Sequence, residues 1–320
     1  MTRTKGRQWV RLVGLLLSAA ALAWIAVRFA KSGALELLTH ASASPPWVSM
    51  AIVLGACAYS LAMCLPALAW WRLVSALAPV PMPARNAIVT YAVSQYGKYL
   101  PGNVAHYAIR HAWSRRAGLP HASLGLAAML EAALLLLAAL AATLVGDTTR
   151  LRIVSMIDSR IAIVLLLVIL GALGAALAFA RRHDFAERWH VPALPSASVL
   201  LSCLVCYAAF FAASAALLEL LAYVLGFGVE SFALLLAAGA ASWAAGFIVI
   251  GAPGGLGVRE AAFVALAGGA LGESHALLLI GLFRIVTFLG DTLLFAAGAL
   301  ALRGADGAIG DSSRNHRSAP

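Results

Sequence analysis

Residues 97–103, Gly97-Lys98-Tyr99-Leu100-Pro101-Gly102-Asn103, form a short polar break between two hydrophobic runs. A second break follows far downstream, at Gly251-Ala252-Pro253-Gly254-Gly255-Leu256-Gly257. Backbone of this kind cannot face lipid, because its unpaired N–H and C=O groups would each cost several kcal/mol in hydrocarbon. Both breaks are therefore expected to be buried in protein or to line a wet cavity. Two such breaks in corresponding halves of a chain indicate a binding site near the membrane midplane.

The composition indicates an integral membrane protein and excludes soluble enzymes. Hydrophobic residues make up 62% of the chain and charged residues 11%, whereas about a quarter of the residues in soluble domains are charged. Several apolar runs reach the roughly 20 residues that a helix needs to cross the hydrocarbon core. No ten-residue alternating pattern of a transmembrane strand occurs. The sequence thus predicts an all-α, polytopic bundle of transmembrane helices.

The net charge of +10 does not indicate nucleic-acid binding. The basic residues lie at the ends of apolar runs, where they set membrane topology and meet anionic lipid headgroups. His106 and His111 lack metal-binding spacing, and the chain contains no H-E-x-x-H, P-loop or G-x-S-x-G motif. We therefore predict no metal, cofactor or catalytic residue.

The apolar runs and flanking charges predict six or seven spanning helices. A basic N-terminus followed by an apolar run over 12–29 favours a first helix with a cytoplasmic N-terminus, although Ala21-Leu22-Ala23 also resembles a signal-peptidase site. The later predicted crossings are 47–78, 122–145, 161–180, 197–227 and 276–302. Whether 232–250 also spans decides the count.

A re-entrant hairpin is the economical interpretation of the first break, whereas the second break allows two interpretations. Residues 87–95 and 104–112 are each too short to span, and the arginines at both ends favour the cytoplasm. Around the second break, 232–250 either spans alone or descends into a hairpin that turns at 252–257 and returns over 260–271. The hairpin alternative keeps the basic tail in the cytoplasm.

The second alternative also predicts an inverted repeat within one membrane domain. Pro101 and Pro253, like Arg110 and Arg259, are separated by about 150 residues. Inverted repeats of this kind are typical of secondary transporters. The predicted parts are 1–46 (first helix and connection), 47–146 (repeat 1), 147–196 (linking helix and loops), 197–302 (repeat 2) and 303–320 (polar tail).

Ionisable residues within the apolar sequence predict a polar interior. They are Lys98, Arg110, Glu131, Glu219, Arg259, Glu260, Arg284 and Asp291. Each costs at least about 2.5–3.5 kcal/mol at the bilayer centre unless it is paired or hydrated. Arg284 and Asp291 share a helix face seven residues apart, and each is expected to meet a different partner, with Glu131 the predicted partner of Arg284. A purely structural set of ion pairs is the alternative.

The breaks expose helix ends, and the backbone N–H groups there favour anions. We therefore predict an anionic headgroup, of a phospholipid or a polyprenyl phosphate, as the ligand. The predicted substrate-binding residues are Lys98, Asn103, Arg110 and Arg259. The predicted cavity or gating residues are Gly97, Pro101, Gly102, Glu131, Glu219, Pro253, Gly254, Gly255, Glu260, Arg284 and Asp291. The alternative is that the two hairpins have only a structural role in helix packing and bind no ligand.

These motifs resemble the lysylphosphatidylglycerol synthase transmembrane-region family of flippase-like membrane proteins. The resemblance rests on Gly97–Asn103 with His106 and Arg110, on Glu131, and on Pro253-Gly254-Gly255-Leu256-Gly257-Val258-Arg259-Glu260. In that family the membrane region of the multiple peptide resistance factor is regarded as moving aminoacylated phosphatidylglycerol between leaflets. A separate soluble domain performs aminoacyl transfer, and it is not part of these 320 residues. The resemblance therefore implies the membrane half alone.

The resulting hypothesis is a lipid translocase of the bacterial inner membrane. Its expected substrate is an anionic phospholipid, an aminoacyl-lipid or a lipid-linked envelope precursor, and it would work without an enzymatic activity. Two alternatives stay open. One is a membrane-embedded enzyme that uses Glu131 or Glu260 with His106, and the other is a scaffold for a lipid-modifying synthase or glycosyltransferase.

Overall fold

The described part of the chain is helical throughout and contains no strand. The computed structural model describes Val27 and residues 47–79, 81–100, 104–146, 194–227, 231–249 and 252–315. The helices are α1 (Trp47–Ala62), α2 (Cys64–Leu77), α3 (Ala84–Gln95), α4 (Ala105–Arg116), α5 (His121–Val145), α6 (Ala197–Val224), α7 (Phe232–Ile248), α8 (Val258–Leu271) and α9 (Glu273–Asn315). Short 3₁₀ turns at Tyr96–Tyr99 and Pro253–Gly255 occupy the two breaks.

Five segments of the described residues are long and apolar enough to cross a membrane. They are Trp47–Leu77, His121–Val145, Ala197–Val224, Pro253–Leu271 and Glu273–Leu302, and α7 is a shorter apolar helix. The predicted polytopic helical membrane bundle is thereby confirmed. The predicted crossings at 12–29 and 161–180 lie outside the described residues.

Prolines and glycines account for the helix boundaries near the breaks. Pro83 and Pro120 directly precede α3 and α5, where a missing N–H leaves no intrahelical bond unmade. Pro66 lies in the first turn of α2, just after the turn at Met63 that separates α1 from α2. Gly257 precedes α8 with φ of 81°, a conformation that favours glycine. Pro83 and Gly257 thus mark the starts of two of the short helices beside the breaks.

Residues 47–146 and 197–302 pack through equivalent pairs of elements. The helix that opens each half packs on the last helix of the other half, as α1 does on α9 and α6 on α5. The first hairpin arm of each half also packs on that last helix, as α3 does on α9 and α7 on α5. This exchange pattern is what a two-fold internal repeat would produce. The repeat and its inverted orientation in the bilayer stay predictions.

Two glycines allow the close approach of hairpin arms to the last helix of the opposite half. A Cβ on Gly146, at the end of α5, would lie 2.6 Å from Ala237 Cβ on α7. A Cβ on Gly298 of α9 would lie 3.1 Å from Ala92 Cβ on α3. Small residues at such crossings let helix backbones pack tightly in a membrane.

The two broken segments meet inside the bundle. A Cβ on Gly254 would lie 3.0 Å from Cδ1 of the Tyr99 ring. Gly254 also has φ of 59°, and its carbonyl oxygen accepts a hydrogen bond from Arg284 Nη2 at 3.1 Å. Space and backbone conformation therefore both favour glycine at this position. The contact brings residues that are distant in the sequence into one site.

Candidate functional site

Three ion pairs join the elements around the two breaks, in an otherwise apolar bundle. They are Arg110–Glu131, Lys98–Asp291 and Glu260–Arg284. Glu131 is 1% exposed and Asp291 is not exposed at all. Charges this deeply buried are costly unless each finds an opposite charge and hydrogen bonds.

The Arg110–Glu131 pair is hydrogen-bonded and packed against aromatic rings. Arg110 Nη1 donates to Glu131 Oε1 at 2.9 Å and to Oε2 at 2.7 Å, and Arg110 Nε donates to Ser94 Oγ at 3.2 Å. The rings of Trp70, Tyr91 and Tyr107 surround the guanidinium, with centroids 4.0–5.6 Å from its carbon. Only Nη2 has no hydrogen-bond partner. Arg110 is thus held by protein groups, and it also borders an open groove of about 470 Å³ between α4 and α5.

Asp291 of α9 joins the first break to the last helix. Its Oδ2 accepts a hydrogen bond from Tyr99 Oη at 2.6 Å and lies 2.7 Å from Lys98 Nζ. Its Oδ1 is buried without a hydrogen-bond partner. Lys98 and Tyr99 belong to the first half and Asp291 to the second, so this cluster links the two halves.

Glu260 and Arg284 form the corresponding pair in the second half, with the charges exchanged. In the first half the second hairpin arm, α4, carries the cation Arg110, and the following helix, α5, carries the anion Glu131. In the second half α8 carries the anion Glu260, and α9 carries the cation Arg284. Arg284 Nε lies 2.6 Å from Glu260 Oε1, yet neither Glu260 oxygen accepts an aligned hydrogen bond. The attraction between the two charges therefore holds this pair together without a well-aligned hydrogen bond.

Arg259 has no carboxylate partner among the described residues. Its Nε is buried without a hydrogen bond, and its guanidinium carbon lies 5.4 Å from the centroid of the Trp243 ring. Gly246 and Gly255 flank the side chain, because a Cβ on Gly246 would lie 2.8 Å from Arg259 Nε and one on Gly255 would lie 2.6 Å from it. Two glycines therefore form a slot that fits this arginine.

Two adjoining cavities meet at Arg259. One has a volume of about 60 Å³ and is bordered by Lys98, His106 and Glu131. The other has a volume of about 40 Å³ and is bordered mainly by apolar residues of α6, α7 and α9. Both share Tyr59, Phe210, Trp243 and Arg259. Each volume exceeds the minimum for one water molecule, so Arg259 is the cation with access to open space on two sides.

The remaining predicted site residues divide into three groups. Gly97 is buried in the first break, and Pro253 and Gly255 lie in the second. Glu219 is half-buried on α6, and neither cavity includes it. Pro101, Gly102 and Asn103 lie outside the described residues. No group of three or more metal-ligating side chains occurs within the described ranges.

The predicted Glu131–Arg284 pair is wrong. Each residue instead pairs with the second hairpin arm of its own half, because that arm packs beside the helix that follows it. The prediction that Arg284 and Asp291 meet different partners is confirmed. Sequence reasoning missed the aromatic residues that enclose Arg110, since apolar sequence gives no signal of which ring faces a cation. Trp243 was missed for the same reason.

The fold and the site define the class of the protein: a polytopic helical membrane protein with charged side chains buried where two broken segments meet. The chain belongs to the family described as Lysylphosphatidylglycerol synthase TM region, whose sequence model matches residues 11–294. This confirms the resemblance stated from the motifs and supports a lipid-related role in the membrane. No curated protein matches the chain.

Proposed function

We propose that this protein translocates an anionic lipid, an aminoacyl-lipid or a lipid-linked envelope precursor across the bacterial inner membrane, without an enzymatic reaction of its own. The observation that carries the proposal is the contact between the two breaks beside cavities that contain Arg259. Family membership supports a lipid-related role. The membrane region of this family is not its catalytic domain, which favours transport over chemistry.

The arrangement of the ion pairs supports alternating access by movement of the halves. Arg110–Glu131 and Glu260–Arg284 each lie within one half, whereas Lys98–Asp291 joins the two. Rocking of one half against the other would preserve the first two pairs and separate the third. A headgroup would enter the cavities as that pair opens, and the apolar walls would keep its chains out of water.

A vesicle assay tests the proposal. Purified protein is reconstituted into liposomes that contain a trace of phosphatidylglycerol with a fluorescent chain label, and external dithionite then bleaches the outer leaflet. Translocation brings inner-leaflet lipid to the outside, so bleaching should proceed well beyond the half that protein-free vesicles show. Bleaching that stops at half in vesicles with folded protein, for phosphatidylglycerol and for labelled lysyl-phosphatidylglycerol alike, would contradict the proposal.

A further inference from the structure

His106 is a buried titratable residue that takes part in none of the three ion pairs. It lies on α4, four residues before Arg110, and only 8% of it is exposed. Its Nδ1 atom is buried and has no hydrogen-bond partner within the described part of the chain. A buried polar atom without a partner is costly. The ring borders the cavity of about 60 Å³ that Arg259 also borders, and that cavity is where a partner fits.

The cavity is large enough and polar enough to hold water. A buried water needs a volume of about 10–15 Å³ and two to four polar partners. The cavity offers His106, Gln95 and Arg259 as such partners, and the Nδ1 of His106 and the Nε of Arg259 are both unpaired. Lys98 and Arg259 at its border are half-buried rather than enclosed. Water in the cavity therefore has a route to exchange, and protons can reach the histidine ring through it.

The charged groups around the ring favour its neutral form in this arrangement. The positive charges of Lys98, Arg110 and Arg259 all oppose a proton on His106. Carboxylates offset the first two cations, whereas Arg259 has no carboxylate at salt-bridge distance within the described ranges. The titratable groups that face the ring are Tyr59 of α1, Tyr91 of α3, Lys98 of the first break, Tyr107 and Arg110 of α4, Glu131 of α5 and Arg259 of α8.

His106 and Arg259 belong to different halves of the chain and border the same cavity. A proton on His106 would place a second positive charge across the cavity from Arg259, and like charges repel. That repulsion would fall as the halves move apart. Arg110 would keep its carboxylate during this movement, and the long side chain of Lys98 could turn away from the ring. The separated arrangement would therefore bind the proton more tightly.

We propose that His106 is a proton-binding site that couples proton uptake to separation of the two halves. The inference rests on the proposed function, because it makes that separation the proton-dependent step of translocation. One proton from the cavity water binds to the unprotonated ring nitrogen as the halves separate, and it returns to water when they close. A ligand that binds one of two conformations more tightly shifts the population toward it, so acidification favours the separated arrangement.

A pH comparison in vesicles tests the inference. Wild-type protein, His106→Gln and His111→Gln are reconstituted with fluorescent short-chain phosphatidylglycerol, and albumin extracts the label from the outer leaflet at pH 6 or pH 8 on both sides. The wild type should translocate several-fold faster at pH 6. His106→Gln should give equal rates at the two pH values. His111 lies on the same helix without bordering the cavity, so His111→Gln should keep the wild-type ratio.

A second pair of variants tests the repulsion across the cavity, also if His106→Gln fails to fold. Arg259→Gln removes the opposing charge and should abolish the pH dependence of the rate. Arg259→Lys keeps a positive charge and should preserve it. A wild-type ratio of rates in either His106→Gln or Arg259→Gln would overturn the inference.

Spin labels in the two breaks measure the separation directly. Leu100 lies in the first break and Leu256 in the second, and both are exposed. Each is replaced by a labelled cysteine, Leu100→Cys and Leu256→Cys, after the exposed Cys57 and Cys64 are changed to serine. The distance between the labels, measured by electron paramagnetic resonance, should be longer at pH 6 than at pH 8, and His106→Gln should remove the difference. Equal distances at both pH values in the protein that retains His106 would contradict the coupling.

The label distance also separates this inference from the proposed function. A pH-dependent distance that requires His106, in protein that moves no lipid at either pH, would contradict translocation and support the proton site. Translocation at equal rates at pH 6 and pH 8, with a constant distance, would support translocation and contradict the proton site.

Discussion

Lys98 and Asp291 lie on different halves of the chain, and Lys98 Nζ approaches Asp291 Oδ2 to 2.7 Å. Within the described ranges no other ion pair joins the two halves. Any motion that separates the halves must therefore break this pair and move two charges out of contact inside the bundle. In the proposed alternating-access movement, the free energy for that step would add to the barrier for translocation.

Asp291→Asn should lower the Tm and raise the initial translocation rate per folded molecule. The amide still accepts the Tyr99 hydrogen bond, but Lys98 loses its counter-ion, and breaking a buried pair costs about 3–5 kcal/mol. Thermal unfolding in detergent and dithionite bleaching in vesicles measure the two effects. A variant that is destabilised and also translocates more slowly would show that this pair does not limit the motion.

Arg110→Gln and Arg259→Gln should change stability in opposite directions. The first leaves Glu131 buried without a counter-ion and should cost about 3–5 kcal/mol. The second removes a cation that has no carboxylate partner, so in lipid-free neutral detergent the Tm should rise. Thermal unfolding of both variants, with Arg116→Gln as the exposed control, makes the comparison. An equal decrease in Tm for Arg110→Gln and Arg259→Gln would mean that Arg259 has a counter-ion outside the described residues.

Acidification should destabilise the protein through His111, which lies on α4, outside the five spans. His111 Nε2 lies 2.8 Å from His121 Nδ1. Burial lowers the pKa of His111, and the neighbouring His121 and Arg115 lower it further. As the pH is lowered, the unfolded chain therefore binds a proton at His111 at about pH 6.5, and the folded chain does so only at lower pH. The free energy of unfolding therefore decreases as the pH drops below that value.

Thermal unfolding between pH 8 and pH 5 measures this effect. The Tm of the wild type should be level above the unfolded pKa and should decline below it. His111→Gln should flatten that decline, because glutamine carries no titrating group. An identical decline in both proteins would assign the pH dependence to other groups.

The C-terminus should be cytoplasmic if α7 and α8 form a re-entrant hairpin. Length does not decide between hairpin and span, because Pro253–Leu271 qualifies as a span and α7 has 17 residues. Fusions of the tail to a reporter active only in the cytoplasm, and to one active only in the periplasm, measure its side. Activity of the periplasmic reporter alone would mean that 232–250 spans and that the inverted repeat is wrong.

The sequence predicted the elements of the fold better than their partners. Hydropathy located α5 and α6 to within a few residues, since a bilayer demands about 20 apolar residues per crossing. Pro253 and Gly254 marked the second break because their backbone requirements are local. The partner of Glu131 was not predictable, since it depends on which helices pack together. The same holds for Arg259: the sequence identified it as a cation, and packing left it without a carboxylate.

Arg284 and Asp291 lie seven residues apart on α9, and each holds a different hairpin. The separation corresponds to two helical turns, or about 10 Å along the axis. Insertion of one residue between them would rotate Asp291 by about 100° relative to Arg284, and the Lys98 contact would be lost. The segment between these two residues should therefore accept changes of side chain but not of length, a constraint on insertions and deletions rather than on composition.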